Sequence, residues 1–402
     1  MNAKRIAIIG TVGLPAKYGG FETLADHLVT HLCGKYKFTV YCSSKEYPKK
    51  ERITSYKGAD LTYIPLDANG IESILYDSVS ILHALWRNDI LLILGVSGAW
   101  ILPFVRLFTN KKIILSIDGI EWKRNKWSLF AKLYLWAVEA IGVRYSHIDI
   151  SDNDAIQDYT AFRYKTLSRV IEYGGDHTLQ VEATREDYDK HPFLHFNYAV
   201  KVCRIEPENN VHLVLDAFKN RTELKLVIVG NWNNSEYGKA LKEECKNNIN
   251  IYLLDPIYNQ REIDLIRGNA TIYIHGHSAG GTNPSLVEAM CLGLPVIAFN
   301  VSYNRKTTEN KALYFSTSQD LIQHLDSSTG IIRFELGNVM KEIALDRYTW
   351  STISRKYESL IVEVLTTKKK NSVYAESKKI DPQFLLDNKL GHLHNSTLFN
   401  NK

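Results

Sequence analysis

Residues 271–290 read TIYIHGHSAGGTNPSLVEAM, in which a β-branched run is followed by a glycine-rich loop and by residues typical of a helix start. Asn283 is a good N-cap residue and Pro284 a good first helical residue, so the pattern predicts a helix from this point. Backbone amides at a helix start direct their positive ends into the preceding loop, where they bind phosphate groups. We therefore predict a strand, a loop and a helix, with a diphosphate site formed by Gly280, Gly281, Thr282, Asn283 and Ser285.

Glu288 lies just over one turn into this predicted helix. A carboxylate at that position can accept hydrogen bonds from the hydroxyl groups of a ribose that carries the bound diphosphate. The alternative is an ordinary charge on a helix surface. The spacing from the glycine-rich loop favours the ribose contact.

The same alternation of strand-like runs and helix-length segments fills most of the chain, and it predicts an α/β fold with doubly wound parallel sheets. A chain of 402 residues is too long for one core, so we predict two Rossmann-like domains that face a cleft. The predicted boundaries are 1–175 for the first domain, 176–195 for a linker, 196–345 for the second domain, 346–366 for a closing helix and 367–402 for a polar tail. The predicted strands are 6–9, 38–41, 61–64, 90–94, 113–117, 148–150 and 170–172 in the first domain, and 198–203, 226–229, 251–253, 271–274, 296–299 and 313–315 in the second.

Composition narrows the class of protein. The net charge of +5 comes with short basic clusters and no long basic run, which favours an anionic ligand or a membrane surface over nucleic acid. The five cysteines lack the CxxC spacing of a zinc or redox site. The first residues lead directly into a strand-like run without the pattern of a signal peptide, so we expect a cytoplasmic protein.

Two apolar stretches need a separate interpretation. The run Ile90 to Val105 is shorter than the roughly 18 residues of a membrane span and contains glycine and proline, so we expect a buried strand, a turn and a helix. The stretch Leu129 to Val143 contains Lys132 and Glu139, which indicates an amphipathic helix that at most lies on a membrane surface.

A second glycine-rich loop, residues 10–23, reads GTVGLPAKYGGFET between the first strand and the first helix. Glycine lets backbone amides approach an anion closely, so Gly19 and Gly20 are candidate ligand-binding residues. A dinucleotide fingerprint from Gly10 requires glycine where Val12 and Pro15 stand, and this disfavours a nicotinamide dehydrogenase. The alternative is an ordinary strand-to-helix turn.

The segment 118–127, DGIEWKRNKW, follows a predicted strand and combines acids, bases and indoles. Such a loop at the carboxyl end of a strand is typical of a substrate site, although a solvated loop is the alternative. The acids Asp118 and Glu121 are candidates for orienting an acceptor hydroxyl. Contact with a lipid diphosphate or with anionic head groups is assigned to Trp122, Lys123, Arg124 and Lys126.

Metal sites are not expected. The Asp-x-Asp patterns at 152–154 and 187–189 are weak, and the first lies where a helix cap is expected. His275 and His277 are too few to hold a metal without further ligands.

Three motifs together give a more specific indication than any one loop: GLPAKYGGFET at 13–23, RIEPENN at 204–210, and the block 280–290 with LGLPV at 292–296. With them the chain, over about residues 5–365, resembles the retaining GT-B glycosyltransferases of family 4, and most closely their bacterial rhamnosyltransferase branch for capsule and cell-wall polysaccharides. The resemblance implies that Glu288 binds the nucleotide ribose and that Arg204 contacts the diphosphate. It also implies that the loop at Gly19 and Gly20 closes over the donor from the other domain.

Two positions depart from the family pattern. Gly280 stands where the paired-glutamate pattern has an acid, eight residues before Glu288. Asn209 stands where the family usually has a lysine, five residues after Arg204, and another cation such as Arg305 or Lys306 is expected to substitute.

These observations predict a retaining glycosyltransferase with the donor in the second domain and the acceptor in the first. By resemblance, the donor is dTDP-L-rhamnose and the acceptor a lipid-linked saccharide of surface polysaccharide, met at the inner face of the cytoplasmic membrane. No cofactor or metal is expected, and the predicted catalytic residues are Arg204, Asp118 and Glu121. A nucleotide-sugar epimerase of the same fold and a non-catalytic sugar-nucleotide-binding scaffold stay open as alternatives, because fold alone does not fix function.

Overall fold

The protein is described by a computed structural model over residues 3–17, 19–117, 119–124, 127–368, 370, 380 and 382–390. Contacts divide the chain into two units, each built around its own β-sheet. Unit 1 comprises Met1–Glu172 and Ile353–Lys402, and unit 2 comprises Tyr173–Thr352. The chain therefore enters unit 1, completes unit 2 and returns to unit 1.

Unit 1 contains a sheet in the order β3-β4-β2-β1-β5-β6-β7-β8, which is parallel except for the antiparallel β3–β4 pair. Because the chain moves from β1 to one side of the sheet and later returns to pair β5 with its other side, the topological switch point lies between β1 and β5. The strands are β1 (Arg5–Ile9), β2 (Lys37–Ser43), β3 (Ser55–Tyr56), β4 (Ala59–Ile64), β5 (Ile90–Leu94), β6 (Lys112–Ile117), β7 (Ile148–Ser151) and β8 (Arg169–Val170).

The helices of unit 1 connect the strands of this sheet. They are α1 (Gly20–Leu32), α2 (Glu72–Ala84), α3 (Leu102–Phe108), α4 (Leu129–Tyr145) and α5 (Asp154–Tyr164). The strand β5 is buried throughout, as expected for a central parallel strand covered on both faces.

Unit 2 contains an all-parallel sheet in the order β11-β10-β9-β12-β13-β14. Alternate side chains of β9 enter different cores: Val200 packs with Tyr273 on one face and Ala199 with Ile272 on the other. The strands are β9 (Tyr198–Val202), β10 (Lys225–Val229), β11 (Ile251–Leu254), β12 (Ile272–His275), β13 (Val296–Phe299) and β14 (Leu313–Phe315). The helices are α6 (Arg185–Lys190), α7 (Val211–Phe218), α8 (Glu236–Cys245), α9 (Gln260–Gly268), α10 (Pro284–Cys291), α11 (Ser302–Thr307), α12 (Ser318–Ser327) and α13 (Gly330–Arg347).

The helix α14 (Trp350–Thr366) has the amphipathic spacing that the sequence predicts, and Tyr357, Leu360 and Val364 are buried. From Ile353 onward it belongs to unit 1. Ion pairs join it to other parts of that unit: Glu358 pairs with Lys35 at 2.6 Å, Glu363 with Arg169 at 2.5 Å, and Lys356 with Glu172 at 2.5 Å.

The predicted fold class, two α/β domains with parallel sheets, is confirmed. Each predicted strand overlaps an observed one, and only the two-residue strand β3 has no predicted counterpart, because it is too short for an apolar period. The run Ile90 to Val105 forms β5, a 3₁₀ turn at Ala99–Ile101 and most of α3. None of the helices within the described ranges is both long and apolar enough to cross a membrane.

Two segments have more structure than their polar sequence indicates. The predicted linker 176–195 belongs to unit 2 and contains α6, whose start is fixed by a capping box between Thr184 and Asp187. Arg261 holds the same aspartate through two hydrogen bonds, of 2.9 and 2.7 Å. In the predicted polar tail, α15 (Pro382–Asp387) buries Phe384 completely.

Candidate functional site

The carboxyl ends of β9 and β12 lie side by side at the topological switch point of unit 2. The chain leaves β9 for β10 and β11 on one side of the sheet and then returns to pair β12 with the other side of β9. Parallel sheets bind ligands in the crevice at this position. Two loops of the predicted site leave the sheet here: residues 203–210, which contain Arg204, and residues 276–283, which lead into α10.

The turn Glu208–Asn210 fastens the first loop to the second through side-chain and backbone hydrogen bonds. Asn209 donates through Nδ2 to the carbonyl of Arg204 at 2.9 Å, so its Oδ1 is the acceptor that faces His277 Nδ1 at 2.9 Å. Asn210 donates to the carbonyl of Gly276 at 2.9 Å. Both the amide and the hydroxyl of Ser278 donate to the carbonyl of Glu208 at 2.8 Å.

These contacts explain the residue that stands in place of the family lysine. Asn209 is buried and joins the two loops because its side chain both donates and accepts. A lysine side chain has only donors and would not make both contacts. The expected substitute Arg305 contacts Asn300 at 2.7 Å and lies over the ring of Tyr314, with 4.2 Å from its Cζ to the ring centre. Its neighbour Asn304 reaches the site instead, by donating to the carbonyl of His277 at 2.9 Å.

Glycine is required at two positions of the second loop. A Cβ atom at Gly276 would lie 2.3 Å from the carbonyl oxygen of Asn209 and 2.7 Å from Nζ of Lys201. Gly280 has a φ of +108°, a backbone conformation that side chains rarely adopt. The local backbone therefore accounts for glycine where the family pattern has an acid.

The start of α10 forms as the sequence predicts. Asn283 accepts a hydrogen bond from the amide of Ser285 at 3.0 Å, and Pro284 is the first helical residue. The Ser285 hydroxyl donates to the carbonyl of Val202 at 3.2 Å, which fixes this first turn against the end of β9. Thr282 is buried beside it. The amides that lead into the helix therefore lie at the same sheet edge as Arg204.

Glu288 is not a surface charge. Its Oε2 lies 2.5 Å from Nη1 of Arg267, whose side chain is only 4% exposed, and its Oε1 lies 3.3 Å from Nε2 of His177. Burial raises the pKa of Glu288, but Arg267 and His177 outweigh it and hold the pKa below its ordinary value. The carboxylate is therefore ionised at neutral pH, and each oxygen keeps a second lone pair for a further donor.

His177 and Trp350 form a support for Glu288 that the sequence analysis did not find. The indole N–H of Trp350 donates to Nδ1 of His177 at 3.0 Å. Because an indole only donates, Nδ1 is the acceptor, and Nε2 carries the proton that faces Glu288. Gly174 makes room for the indole, since a Cβ there would lie 2.5 Å from Trp350. These residues are far apart in the sequence, so no local pattern indicates the contact.

Arg204 is exposed, and its guanidinium forms no ion pair with any residue in the part of the chain that the structure describes. Neither of the neighbouring acids, Glu206 and Glu208, pairs with it. The free guanidinium can bind two oxygens of an anion at once.

Two buried nitrogen groups lie behind the second loop. Lys201 on β9 and His275 on β12 are almost completely buried, and burial lowers the pKa of both side chains. Nε2 of His275 has no hydrogen-bond partner in the described residues. From the sequence, His275 is a candidate only for metal binding, and no sequence pattern points to Lys201.

In unit 1, the loop that contains Gly19 and Gly20 lies at the switch point between β1 and β5. Gly19 is the N-cap of α1 with a φ of +119°, and a Cβ there would lie 1.9 Å from the carboxylate of Glu22. Glu22 is buried and accepts a hydrogen bond from the amide of Val12 at 2.6 Å. Gly19 therefore allows a buried carboxylate to fix the loop.

The predicted acceptor loop is held by hydrogen bonds and is not simply solvated. Glu121 accepts from Arg124 at 3.1 Å and from the indole of Trp127 at 2.9 Å. Burial, assisted by the charge of Lys389, lowers the pKa of Lys123 to about 8. Asp118 and Lys126, which the sequence analysis also assigned to this site, lie outside the described residues.

Trp122 is anchored by a buried network below this loop. Its indole donates to the hydroxyl of Tyr159 at 2.8 Å, and Tyr159 in turn donates to Glu139. Arg163 pairs with Glu139 at 2.8 Å and lies over the ring of Trp122. With both carboxylate and guanidinium buried and paired, the network orients Trp122 from inside the unit.

Metal-binding geometry is not found: no group of three or more His, Cys, Asp or Glu side chains within the described ranges could hold an ion. In the first Asp-x-Asp pattern, Asn153 is the N-cap of α5 and accepts from the amide of Ala155 at 2.9 Å. In the second, Asp187 belongs to the capping box of α6.

Two family models match the chain. Residues 3–176 match a domain of unknown function, DUF1972, and residues 184–327 match glycosyl transferases group 1. No curated protein sequence matches the chain.

Solved structures match over nearly the whole chain. The sucrose-phosphate synthase of Thermosynechococcus elongatus gives a TM-score of 0.74 at 15% identity, over 90% of this chain and 99% of that one. HepE of Anabaena, in complex with UDP and glucose, gives 0.69 at 15% identity, over 90% and 100%. A glycosyltransferase from Rickettsia africae gives 0.67 at 14% identity, over 92% and 100%.

The chain has the GT-B fold of glycosyltransferases. At these identities the structural likeness carries the fold, and the domain match to residues 184–327 supports glycosyl transfer as the general activity.

Within the GT-B fold, unit 2 brings together most of the predicted donor-binding residues. Arg204, the loop 276–283 and the first turn of α10 with Glu288 surround the switch point of one sheet. Gly19 and Gly20 lie at the switch point of unit 1, and residues 121–124 follow β6 of the same unit. The roles of these residues in binding or catalysis stay predictions.

Proposed function

We propose that the protein is a retaining glycosyltransferase that moves a hexose from a nucleoside diphosphate sugar to a saccharide acceptor. The observation that carries the proposal is the arrangement in unit 2. The guanidinium of Arg204, which pairs with no described carboxylate, lies at the switch point with the amides at the start of α10 and an ionised carboxylate one turn further on. Nucleoside diphosphates offer the complementary groups: two phosphates and a ribose with hydroxyl donors.

Each element has a stated role in binding. The amides that precede Pro284 and the guanidinium of Arg204 receive the diphosphate. The remaining lone pairs of Glu288 accept from the hydroxyls of the nucleoside sugar, two in a ribonucleotide such as UDP and the single 3′-hydroxyl in dTDP. Arg267 and His177 keep Glu288 ionised and fixed in orientation. Hydrogen bonds to a charged acceptor of this kind contribute about 1.5–3 kcal/mol.

Leaving-group stabilisation is the main contribution to catalysis. As the bond from the anomeric carbon to the phosphate oxygen breaks, negative charge develops on the diphosphate, and the interaction with Arg204 and the helix amides strengthens. The acceptor oxygen forms the new bond on the same face, and its proton passes to the departing diphosphate. The loop 276–283 contains no carboxylate that could act as the nucleophile of a double displacement.

The finer assignment rests on the motif resemblance. It favours dTDP-L-rhamnose as the donor and a lipid-linked saccharide of surface polysaccharide as the acceptor. The complexes of HepE with UDP support a pyrimidine nucleoside diphosphate on this fold. For unit 1 we propose that Glu121 and Asp118 orient the acceptor hydroxyl, with Trp122 held in place by the network at Glu139.

The test is transfer from labelled dTDP-L-rhamnose, UDP-glucose and other nucleotide sugars, with and without a lipid-linked saccharide. We expect a labelled product only when the acceptor is present, retained anomeric configuration by NMR, and unchanged rates in EDTA, because side-chain cations and helix amides replace a divalent ion. Conversion of the nucleotide sugar without acceptor would identify an epimerase. Binding without any turnover across the panel would identify a scaffold, and either result refutes the proposal.

A further inference from the structure

About half of the large apolar side chains that are exposed among the described residues lie between Ile71 and Leu133 of unit 1. The first group follows α2 and its flanks at helical spacing: Ile71, Leu75, Val79, Leu82 and Trp86. Their exposure reaches 83% at Ile71 and 87% at Trp86. We call these residues, with the two groups below, the apolar face.

The helix α2 departs from the usual pattern for a helix on a protein surface. Three of its polar residues, Asp77, Ser78 and Ser80, are buried together with the apolar residues of its inner side, whereas Leu75, Val79 and Leu82 are exposed. A water-facing helix places its charged and polar residues on the outer side. This outer surface is therefore suited to an apolar environment.

The second group lies on the helical stretch formed by the 3₁₀ turn and α3: Trp100, Phe104, Leu107 and Phe108. The third group lies at the start of α4: Leu129, Phe130 and Leu133. Aromatic side chains carry about 150–250 Å² each, so the apolar face exceeds the few hundred Å² that monomeric soluble proteins usually expose in one patch.

Hydrogen bonds show that the elements carrying the three groups are neighbours in unit 1. The indole N–H of Trp100 donates to the hydroxyl of Ser78 on α2 at 2.9 Å. Tyr134 on α4 donates to the carbonyl of Ser97, just before the 3₁₀ turn, at 2.7 Å. Gly142 lets α4 pack on that turn, because a Cβ there would lie 3.0 Å from Cβ of Ala99.

The charges without an ion pair along the apolar segments are of one sign. Arg87, Lys111 and Lys132 follow or interrupt the apolar groups, and none of them forms an ion pair with a described residue. The described carboxylates of residues 71–145 are all buried or engaged: Asp77 and Glu139 are buried, Glu72 pairs with Lys45, Asp89 accepts from the backbone amide of Arg5, and Glu121 accepts from Arg124 and Trp127.

We propose that the apolar face inserts into the head-group region of a lipid bilayer that contains anionic lipids. Exposed tryptophan, phenylalanine and leucine with unpaired bases form the composition that lies in such an interface. A second copy of the chain fits less well. In a two-fold symmetric dimer the face meets itself, so the three bases would face each other without a carboxylate to pair with.

This surface differs from the Trp122 loop and extends the proposed transfer to a lipid-linked acceptor. Its test is cosedimentation of the full chain with vesicles of phosphatidylcholine, alone or mixed equally with phosphatidylglycerol. The assay contains neither donor nor acceptor, so its result is independent of the proposed glycosyl transfer. We expect binding to the anionic vesicles that weakens with added salt, and little binding to phosphatidylcholine alone.

Two pairs of substitutions separate the apolar and the basic contributions. Phe108→Glu with Phe130→Glu should lower the partition constant at least tenfold, whereas Ile249→Glu with Phe334→Glu, at exposed apolar positions of unit 2, should leave it unchanged. Lys111→Glu with Lys132→Glu should lower it by about 30-fold or more, from the loss of two bases near the surface. The matched control is Lys239→Glu on α8 with Lys246→Glu at its C-cap, which changes the net charge equally.

Circular dichroism and melting temperatures accompany each variant, and the exposed positions predict unchanged folding. Equal losses in the control variants would refute the location of the surface. Equal binding to both vesicle types would refute the electrostatic contribution. A stable dimer in sedimentation velocity that Phe108→Glu with Phe130→Glu converts to monomer would show that a second copy occupies the face, and would overturn the proposal.

Discussion

Replacing Glu288 by glutamine tests two consequences of its buried ion pair. The substitution removes the charge 2.5 Å from Arg267, whose side chain is 4% exposed, while preserving shape. Breaking a buried pair by removing one partner costs about 3–5 kcal/mol, because the other charge stays buried. Since the Glu288 side chain is 16% exposed and glutamine still offers an oxygen acceptor, we expect a smaller loss of unfolding free energy, about 2–3 kcal/mol.

The same substitution should weaken nucleotide binding separately. A hydrogen bond from a sugar hydroxyl to a carboxylate contributes about 1.5–3 kcal/mol to binding. Loss of the charge should therefore lower the affinity by about 10- to 150-fold. Calorimetry with dTDP and UDP measures this loss, and urea unfolding measures stability. The ion pair with Arg267 therefore adds a loss of stability that the sequence pattern around Glu288 does not indicate.

A double-mutant cycle distinguishes the two effects. Arg267→Met alone leaves the carboxylate without its strongest partner, whereas Arg267→Met with Glu288→Gln removes both charges. We expect the double variant to regain stability relative to the sum of the single variants, without regaining nucleotide affinity. Nucleotide affinity that returns together with stability, or that stays at the unsubstituted value in folded Glu288→Gln, would refute the ribose contact.

Three further predictions concern other parts of the two units. Arg204→Lys should lower turnover at saturating donor about tenfold or more, with an unchanged melting temperature, because the arginine forms no ion pair; near-normal turnover in steady-state kinetics would eliminate its catalytic role. Gly276→Ala should abolish nucleotide binding in calorimetry, since its Cβ would lie 2.3 Å from the carbonyl of Asn209, and retained affinity would contradict the tight loop packing. Burial raises the pKa of Asp77 to about 7 from 3.8, so its contribution to stability is complete below about pH 4 and is lost as the pH rises through 7. Relative to Asp77→Asn, the free energy of unfolding of the natural protein, measured in urea, should therefore fall by up to about 1.4 kcal/mol per pH unit over that window. If the free energies of the two proteins change in parallel with pH, Asp77 does not titrate there.

The sequence predicts those elements that depend on interactions between residues close together in the chain. The N-cap at Asn283 follows from a side chain that accepts from an amide two residues later, and the central strand β5 follows from an uninterrupted apolar run. Both depend on neighbouring residues only. The fold class and the strand, loop and helix start around Asn283 were therefore accessible without a structure.

The supporting contacts of the site were not accessible, because they join distant parts of the chain. Glu288 contacts Arg267 and His177, and His177 is oriented by Trp350. In the sequence, Asn209 stands out only because it lacks the charge of a lysine. Its contact with the second loop depends on His277, which follows β12. The outward side chains of α2 were missed for another reason, since helical periodicity identifies an apolar stripe but not whether it faces the core.

The return of the chain to unit 1 affects the order in which the protein folds during synthesis. The helix α14 completes the packing of a unit whose strands all precede residue 173, through the buried side chains of Ile353, Tyr357 and Val364. At about 5–20 residues per second, a ribosome needs about 10–40 s to make the intervening residues of unit 2. The nascent first unit therefore waits with an uncovered apolar surface that chaperones can bind. A premature stop codon shortly after residue 352 would damage the first unit and leave the second, made later, with all of its strands.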